Sequence, residues 1–340
     1  MLCKIGILGA GSWGTALAIL AARNGCQTLL WGHNANHMEA LRQDRQNKRY
    51  LPEQLFSENL HVTADLSEIG TFCNLILVCV PSHAFKDTLT RIKPHLSKSV
   101  KIAWATKGFN PEDGALLHEI VAEVFSPQTP AAILSGPTFA REVAADLPTA
   151  VTIASTQSDF ANQLAGILHS GRFRAYTSTD IVGVEVGGAV KNVLAIAAGI
   201  ADGLGFGANT RAALITRGLG EIIRLGIKLG GKQETFMGLS GLGDLILTCT
   251  DNQSRNRRFG LALGQDKSKA IALREIRQEI EGISAAKETW LLANKYSMEM
   301  PIIEQTYRVL YEDLAPLTAV KNLLARDQKS EYQLEQTFES

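Results

Sequence analysis

The apolar pattern of the chain changes near residue 180. Before that point short apolar runs alternate with segments of helical spacing. The runs are Lys4–Leu8, QTLLW at 27–31, a weaker one at 60–62, the nearly continuous NLILVCV at 74–80, VKIAWAT at 100–106, AAILS at 131–135, and two more at 150–154 and 172–176. Short unbroken runs bounded by turn residues suit strands buried on both faces, and their alternation with helices predicts a doubly wound, mostly parallel sheet. Beyond Thr179 no segment reads as a strand, and 182–201, 211–229, 243–249, 258–263, 283–297 and 302–309 carry helical spacing. The expected architecture is an α/β domain over 1–180 and an all-helical domain over 181–340. Their boundary falls in 176–185 without a Pro- or Ser-rich linker, so tight packing is expected. The tail 330–340 is polar and expected to be loose.

The first run leads into a motif. KIGILGAGSWG at 4–14 sets Gly9, Gly11 and Gly14 in GxGxxG spacing between a strand and a small-residue helix, with Ser12 and Trp13 between the last two glycines. In a Rossmann-like dinucleotide-binding domain the first glycine allows the tight turn. The second lets the main chain approach a pyrophosphate, and the third lets the helix pack close. The helix N-terminus then offers free N–H groups to the anion. The alternative is a glycine-rich turn that binds nothing.

Composition narrows the classes. At 340 residues two domains are the natural expectation. Lys+Arg and Asp+Glu are both 34, so the net charge is +0, which argues against nucleic-acid or membrane-surface binding while leaving room for a local basic pocket. Ile5–Ala22 carries no charge over 18 residues, near the lower limit for a membrane span, yet it holds four glycines, and no clear basic start, unbroken apolar core or small-residue cleavage site of a signal peptide is found. Nothing later reads as a membrane span. A soluble, unprocessed, cytoplasmic protein without stable membrane insertion is expected. The five cysteines (Cys3, Cys26, Cys73, Cys79, Cys249) are scattered with no CxxC or Cys/His cluster. They read as reduced, buried thiols, neither metal ligands nor a disulfide frame.

In doubly wound sheets ligands bind beyond the carboxyl ends of the strands. There Val80 is followed by Pro81-Ser82-His83, Thr106 by Lys107-Gly108, and Ser135 by Gly136-Pro137-Thr138. Lys107 is either a site residue or a solvated loop lysine, and His83 reads as a surface or capping histidine. In the helical half, Lys191 follows Gly187 and Gly188 by one turn inside an apolar helix. Missing side chains there would open room for a ligand, and desolvation would lower the lysine pKa toward neutrality. A snorkelling lysine is the alternative. Asp244 and Thr248 share a helix face, where Asp244 could orient Lys191 or be an ordinary first-turn acid. Ser254 can cap a helix beginning at Arg255, and arginines at that positive end make sense if an anion such as phosphate sits there. A solvated basic turn is the alternative.

These pieces together resemble one family, the bacterial-type NAD(P)-dependent sn-glycerol-3-phosphate dehydrogenases, from the amino terminus to about residue 315. The carriers are GAGSWGTALA at 9–18, NxxYLP at 47–52, VPSHAF at 80–85, TKG at 106–108, SGPTFAREV at 135–143, EVGGAVKNVLAIAAGIADGLGFGAN at 185–209, GLSGLGDLILTC at 238–249 and SRNRRFG at 254–260. The resemblance implies reversible reduction of dihydroxyacetone phosphate to sn-glycerol 3-phosphate by NADP(H) or NAD(H), for phospholipid synthesis, by a homodimer and without a metal. It implies that Lys191 exchanges the proton, that Lys107 lies against substrate and nicotinamide, and that Asp244 supports the catalytic lysine. Ser254, Arg255 and Asn256 would hold the phosphate with Asn192 and Thr248 nearby. Gly136 and Thr138 would line the substrate site. Ser12, Trp13, His33, Ala140, Arg255, Glu279 and Glu281 would occupy cofactor positions.

Two departures stand out. The second strand ends in Trp31-Gly32-His33-Asn34, with neither the acid that would hold a ribose 2′-OH nor the arginine many family members place there. His33 with Arg49 could meet a 2′-phosphate, so NADPH is expected to serve at least as well as NADH. Glu53 stands where the family often has glycine, with only a local loop effect expected. Rival readings are a ketopantoate- or phosphogluconate-type reductase and a non-catalytic dinucleotide sensor. The first lacks the combined GLGDL and SRN segments. The second would be favoured by loss of Lys191 or Asp244, and both are present.

Overall fold

The apolar runs of the first half form one eight-stranded sheet in a computed structural model that describes residues 3–327. The polar tail lies outside the described residues. The strands are β1 (Lys4–Leu8), β2 (Gln27–Trp31), β3 (Gln46–Asn47), β4 (Leu51–Leu55), β5 (Leu60–Thr63), β6 (Leu75–Val78), β7 (Lys101–Trp104), β8 (Ala131–Ser135), β9 (Thr149–Ser155) and β10 (Phe173–Ser178). Eight of these, all but β3 and β4, form the sheet in the spatial order β10-β9-β8-β7-β6-β1-β2-β5. Every neighbouring pair is parallel except β8–β9. The central strands are the most apolar because helices cover both faces: all four residues of β6 are buried. Strand order reverses between β1 and β6, which is where a doubly wound sheet opens its binding crevice.

The helices of this half are α1 (Ser12–Arg23), α2 (Ala35–Asp44), α3 (Leu66–Phe72), α4 (Phe85–Ile92), α5 (Leu117–Val124), α6 (Ala140–Ala144) and α7 (Ser158–Leu168). The second half is helical throughout its described residues: α8 (Ile181–Gly203), α9 (Ala208–Lys228), α10 (Gln233–Phe236), α11 (Asp244–Thr250), α12 (Arg255–Gly264), α13 (Lys269–Ile276), α14 (Glu281–Lys295), α15 (Pro301–Tyr311) and α16 (Pro316–Leu324).

Three of these helices and one hairpin escape the sequence reading. Only Ala272 of α13 and Ala319 of α16 are buried, so neither helix buries an apolar stripe against the core. The four-residue α10 is too short to show a period. The antiparallel β3–β4 pair is mostly polar, anchored by buried Asn47 and Leu51.

Helix α8 is the axis of the second half. It is long and apolar enough to cross a membrane, but 94% of its apolar window is buried inside the protein. Glycines set its distance from α12. A Cβ at Gly199 would collide with the Arg257 carbonyl, and one at Gly260 with that of Ile196. Main chains in such contact leave α12 little freedom to slide, so its N-terminus is held at a set distance from Lys191 on α8.

One cysteine expectation is overturned. Cys3 and Cys26 are joined in a disulfide. Register is the reason: β1 and β2 are parallel neighbours with Lys4 opposite Gln27, so the residues just before them meet side by side. A separation of 23 residues carries no such signal. Cys73, Cys79 and Cys249 are free, and burial pushes the Cys73 thiol up to about 11 and that of Cys249 to about 12.

Candidate active site

The crevice beyond β1 and β6 continues into the helical half as one cleft of about 1470 Å³. Its first end is the glycine turn. Gly9 adopts φ +121°, open to glycine but strained for other residues, and its N–H donates to the Trp31 carbonyl. A Cβ at Gly14 would strike the Gly9 carbonyl oxygen, whereas one at Gly11 would meet nothing within 4 Å. The space above Gly11 is therefore open to a ligand at the N-terminus of α1, which has no side-chain cap. The indole Nε1 of Trp13 is buried without a partner beside this space. An open cradle and an uncapped helix fit the pyrophosphate of a dinucleotide.

Asn47 supports the turn from behind. Its fully buried amide donates to the Ala10 carbonyl at 3.1 Å and to Thr15 Oγ1 at 2.8 Å. The NxxYLP motif marks this residue, but only the fold reveals the contact. His33 is exposed on the cleft wall near His37 and Arg49, neither of which is acidic. Burial, opposed by a contact to the Ala10 carbonyl, lowers the His37 pKa, and the charges of Arg49 and His33 lower it further.

Where the two halves meet, one carboxylate joins two lysines. Lys191 Nζ donates to Asp244 Oδ1 at 2.6 Å and to Thr248 Oγ1 at 2.9 Å, and Lys107 Nζ donates to Asp244 Oδ2 at 2.7 Å. The three charged side chains are 7%, 2% and 12% exposed in the order Lys191, Asp244, Lys107, so these interactions are little screened. Lys107 reaches the site because Gly108 turns the chain after β7 at φ +134°. Asp244 opens α11 directly after a π-helical turn at Leu239–Gly243. Burial lowers the Lys191 pKa to about 8, with the Lys107 charge acting in the same direction and Asp244 partly restoring it. Burial works against ionisation of Asp244, but the two lysine charges outweigh it and hold its pKa below the ordinary value.

The glycines before Lys191 do not open room for a ligand, contrary to the sequence-based expectation. A Cβ at Gly188 would lie 2.9 Å from Ser135 Oγ and 3.6 Å from Lys107 Cγ, and one at Gly187 would lie 2.7 Å from the Ser240 carbonyl oxygen. The missing side chains admit the Lys107 stem and the π-helical turn, which is how Asp244 comes within reach of both lysines.

The far wall carries the basic segment. Ser254 caps α12, its Oγ accepting from Arg257 N at 3.2 Å. Arg255 reaches Gln278 at 3.3 Å. Asn256 donates to Asn192 Oδ1 at 2.8 Å and accepts from Gly282 N at 2.9 Å, while Asn192 donates to Glu281 Oε2 at 3.3 Å. Gly9, Gly11, Ser12, Trp13, His33, Lys107, Thr138, Ala140, Lys191, Asn192, Asp244, Thr248, Ser254, Arg255, Asn256, Glu279 and Glu281 all line the cleft. Gly14 and Gly136 are set back from its wall. His83 is exposed, with Nδ1 3.8 Å from Glu279 Oε1. His37, which the sequence did not single out, also lines the cleft, as do Tyr50 of NxxYLP and Arg258 of the basic segment.

The chain matches two family models, the NAD-dependent glycerol-3-phosphate dehydrogenase N-terminus over residues 4–161 and its C-terminus over 180–321. It is 56% identical over 326 residues to the glycerol-3-phosphate dehydrogenase [NAD(P)+] of Pseudoalteromonas translucida, covering 96% of this chain and 97% of that one. It is 55% identical over 329 residues to the protein of the same name from Methylococcus capsulatus, covering 96% and 98%. Among solved structures, glycerol-3-phosphate dehydrogenase from Coxiella burnetii superposes with a TM-score of 0.93 at 51% identity, covering 96% of this chain and 99% of that one. A ketopantoate reductase from Ralstonia eutropha, at 17% identity, 93% and 99% coverage and a TM-score of 0.58, shares the fold alone.

Proposed function

The chain belongs to the NAD-dependent glycerol-3-phosphate dehydrogenase family, and from that premise we propose that its cleft reduces dihydroxyacetone phosphate reversibly to sn-glycerol 3-phosphate with NADPH or NADH. The observation that carries the reading is the Asp244 carboxylate held between Lys191 and Lys107 on the wall of the cleft.

When bound, the nicotinamide supplies the hydride that reaches the carbonyl carbon. The chain's task is then to stabilise and protonate the oxygen. Lys191, with a pKa of about 8, gives up a proton readily yet is still largely charged at neutral pH. It donates that proton to the developing alkoxide, and Lys107 adds positive field in a site where little water screens it. Asp244 and Thr248 aim the Lys191 ammonium, so it need not reorient as charge builds. In oxidation the neutral Lys191 takes the hydroxyl proton.

Substrate phosphate belongs at the N-terminus of α12, where free N–H groups, Arg255 and Asn256 converge on the cleft. Its binding energy fixes the orientation of the reacting carbonyl. Ser12, Trp13, His33, Ala140, Glu279 and Glu281 would hold the dinucleotide, with Gly9 making the tight turn and the open space above Gly11 taking its pyrophosphate. Thr138, on the cleft wall, would line the substrate site. A cytoplasmic homodimer supplying glycerol phosphate to phospholipid synthesis completes the reading.

Purified protein with dihydroxyacetone phosphate and NADPH or NADH tests it through loss of reduced-nicotinamide absorbance. Rapid oxidation that Lys191→Ala abolishes supports the reading. Cofactor binding without turnover would sink it and favour a sensor.

A further inference from the structure

The segment joining α11 to α12 carries Ser254 and leads straight into Arg255 and Asn256. It is a loop between two helices, held locally by Asp251, which accepts from Gln253 N at 2.7 Å, and by Gln253, which donates to Glu142 at 2.9 Å; the side chain that ties it to the rest of the helical half is one that does not line the cleft. Arg257 is 8% exposed. Its Nε donates to the Cys249 carbonyl at the end of α11 at 3.1 Å, its Nη1 donates to the Asn252 side chain at the loop's apex, and its Nη2 donates to Asp202 Oδ2 on α8 at 2.5 Å. The main chain takes part as well, since Arg257 N donates to Ser254 Oγ. All three guanidinium nitrogens are engaged, on three separate pieces of chain.

The placement is costly without a purpose. Arg257 stands in the first turn of α12, where the helix dipole disfavours a cation. Asp202 offsets that cost, and it is itself held bidentately by Arg211 of α9, with both oxygens 2.9 Å from Nη1. Two buried or half-buried guanidiniums thus face one carboxylate, leaving the cluster net positive behind the loop. Asp202 sits on the same helix as Lys191, and the glycine contacts between α8 and α12 prevent the two helices from shifting.

We propose that Arg257 is a positioning residue for recognition of the substrate phosphate: it clamps the 251–254 loop to the end of α11 and to α8 so that the α12 N-terminus and Arg255 face the cleft at a set distance from Lys191. Arg257 acts through the loop and does not touch the substrate. The proposal rests on the reading that Ser254, Arg255 and Asn256 form the phosphate site. Lysine cannot replace it, because one ammonium cannot span a carbonyl, an amide oxygen and a carboxylate in the fork geometry of a guanidinium.

The test compares Arg257→Lys, Asn252→Ala and Arg255→Ala in the full-length enzyme. Four quantities are measured: kcat, KM for dihydroxyacetone phosphate, KM for NADPH, and the inhibition constant of inorganic phosphate competing with substrate. For Arg257→Lys we expect KM for dihydroxyacetone phosphate and the phosphate inhibition constant to rise together by about tenfold or more, with KM for NADPH unchanged and kcat at saturation within a few-fold. Asn252→Ala, at an exposed position on the cleft rim, should move the same two constants in the same direction by less. If Arg257→Lys leaves both phosphate constants unchanged while Arg255→Ala raises them, the positioning role is overturned. If it lowers kcat and weakens both ligands alike, Arg257 is a general structural residue and the proposal also fails. If Arg255→Ala leaves phosphate inhibition unchanged, the phosphate-site reading itself is wrong.

Discussion

Asp244 Oδ1 accepts a hydrogen bond from Lys191 Nζ at 2.6 Å, and both side chains are nearly removed from water. The other oxygen of the same carboxylate accepts from Lys107 at 2.7 Å. Removing the carboxylate's charge would leave two buried ammonium groups facing each other. Asp244→Asn should therefore drive the Lys191 pKa below about 8 and lower kcat by about a hundredfold or more at neutral pH. The check is the pH profile of kcat/KM, whose alkaline limb for ketone reduction should move to lower pH. An unmoved limb would show that Asp244 does not set the lysine's protonation.

Lys191→Met should remove the proton donor while nearly preserving volume. Turnover should fall by about 10²–10⁴-fold, while cofactor affinity, followed by quenching of protein fluorescence, stays within a few-fold. Equal losses in turnover and cofactor binding would indicate a collapsed site in place of missing chemistry.

The direction of the reaction sets the sign of its pH dependence. Ketone reduction needs protonated Lys191, so its rate should be level at lower pH and fall as pH rises through about 8. Alcohol oxidation needs the neutral amine, so its rate should rise through the same range. Initial rates in both directions in one buffer series check this. Parallel profiles would exclude Lys191 as the titrating group.

Gly11 and Gly14 should respond differently to alanine. At Gly14 the methyl collides with the Gly9 carbonyl, so the turn must distort and Tm should fall. At Gly11 the protein leaves open space at an ordinary φ of −79°, so Tm should hold. KM for NADPH should nevertheless rise about tenfold or more for Gly11→Ala, because the pyrophosphate needs that approach to the main chain. Thermal melts and cofactor titrations separate the two effects.

Beyond β2 the cleft is lined by His33 and Arg49, with no carboxylate from the end of that strand. Arg49→Ala and His33→Ala should each raise KM for NADPH more than KM for NADH, since only the former carries a 2′-phosphate. Equal effects on both cofactors would show that neither residue reads that group.

Away from the site, Glu221 caps α15 by accepting from the N–H groups of Ile302 and Ile303 at 2.8 and 3.2 Å. Burial nevertheless raises its pKa from 4.5 to about 7. Between those values the native state holds a proton that the unfolded state has released, so this residue's contribution to stability falls as pH rises through the window. The Tm difference between the parent and Glu221→Gln should accordingly shift against the parent from about pH 5 to about pH 7.5. A difference independent of pH would contradict the raised value.

Local sequence determined the eight strands of the main sheet, because buried parallel strands are nearly unbroken apolar runs, and α8, because a helix buried on all sides is apolar throughout. It also located the glycine turn, the lysine after β7, the Ser254 cap and the shared face of Asp244 and Thr248. Each of these is a relation among residues close in the chain, where φ, capping and helical period act. Tertiary structure decided the rest. Lys107 and Asp244 are 137 positions apart, and only the packing of Gly188 and the π-helical turn brings them together. Asn47 under the glycine turn, the clamp made by Arg257, and the pairing of Cys3 with Cys26 all depend on register and helix crossing. Those relations arise when separate elements bury their faces against one another, so no spacing along the chain encodes them.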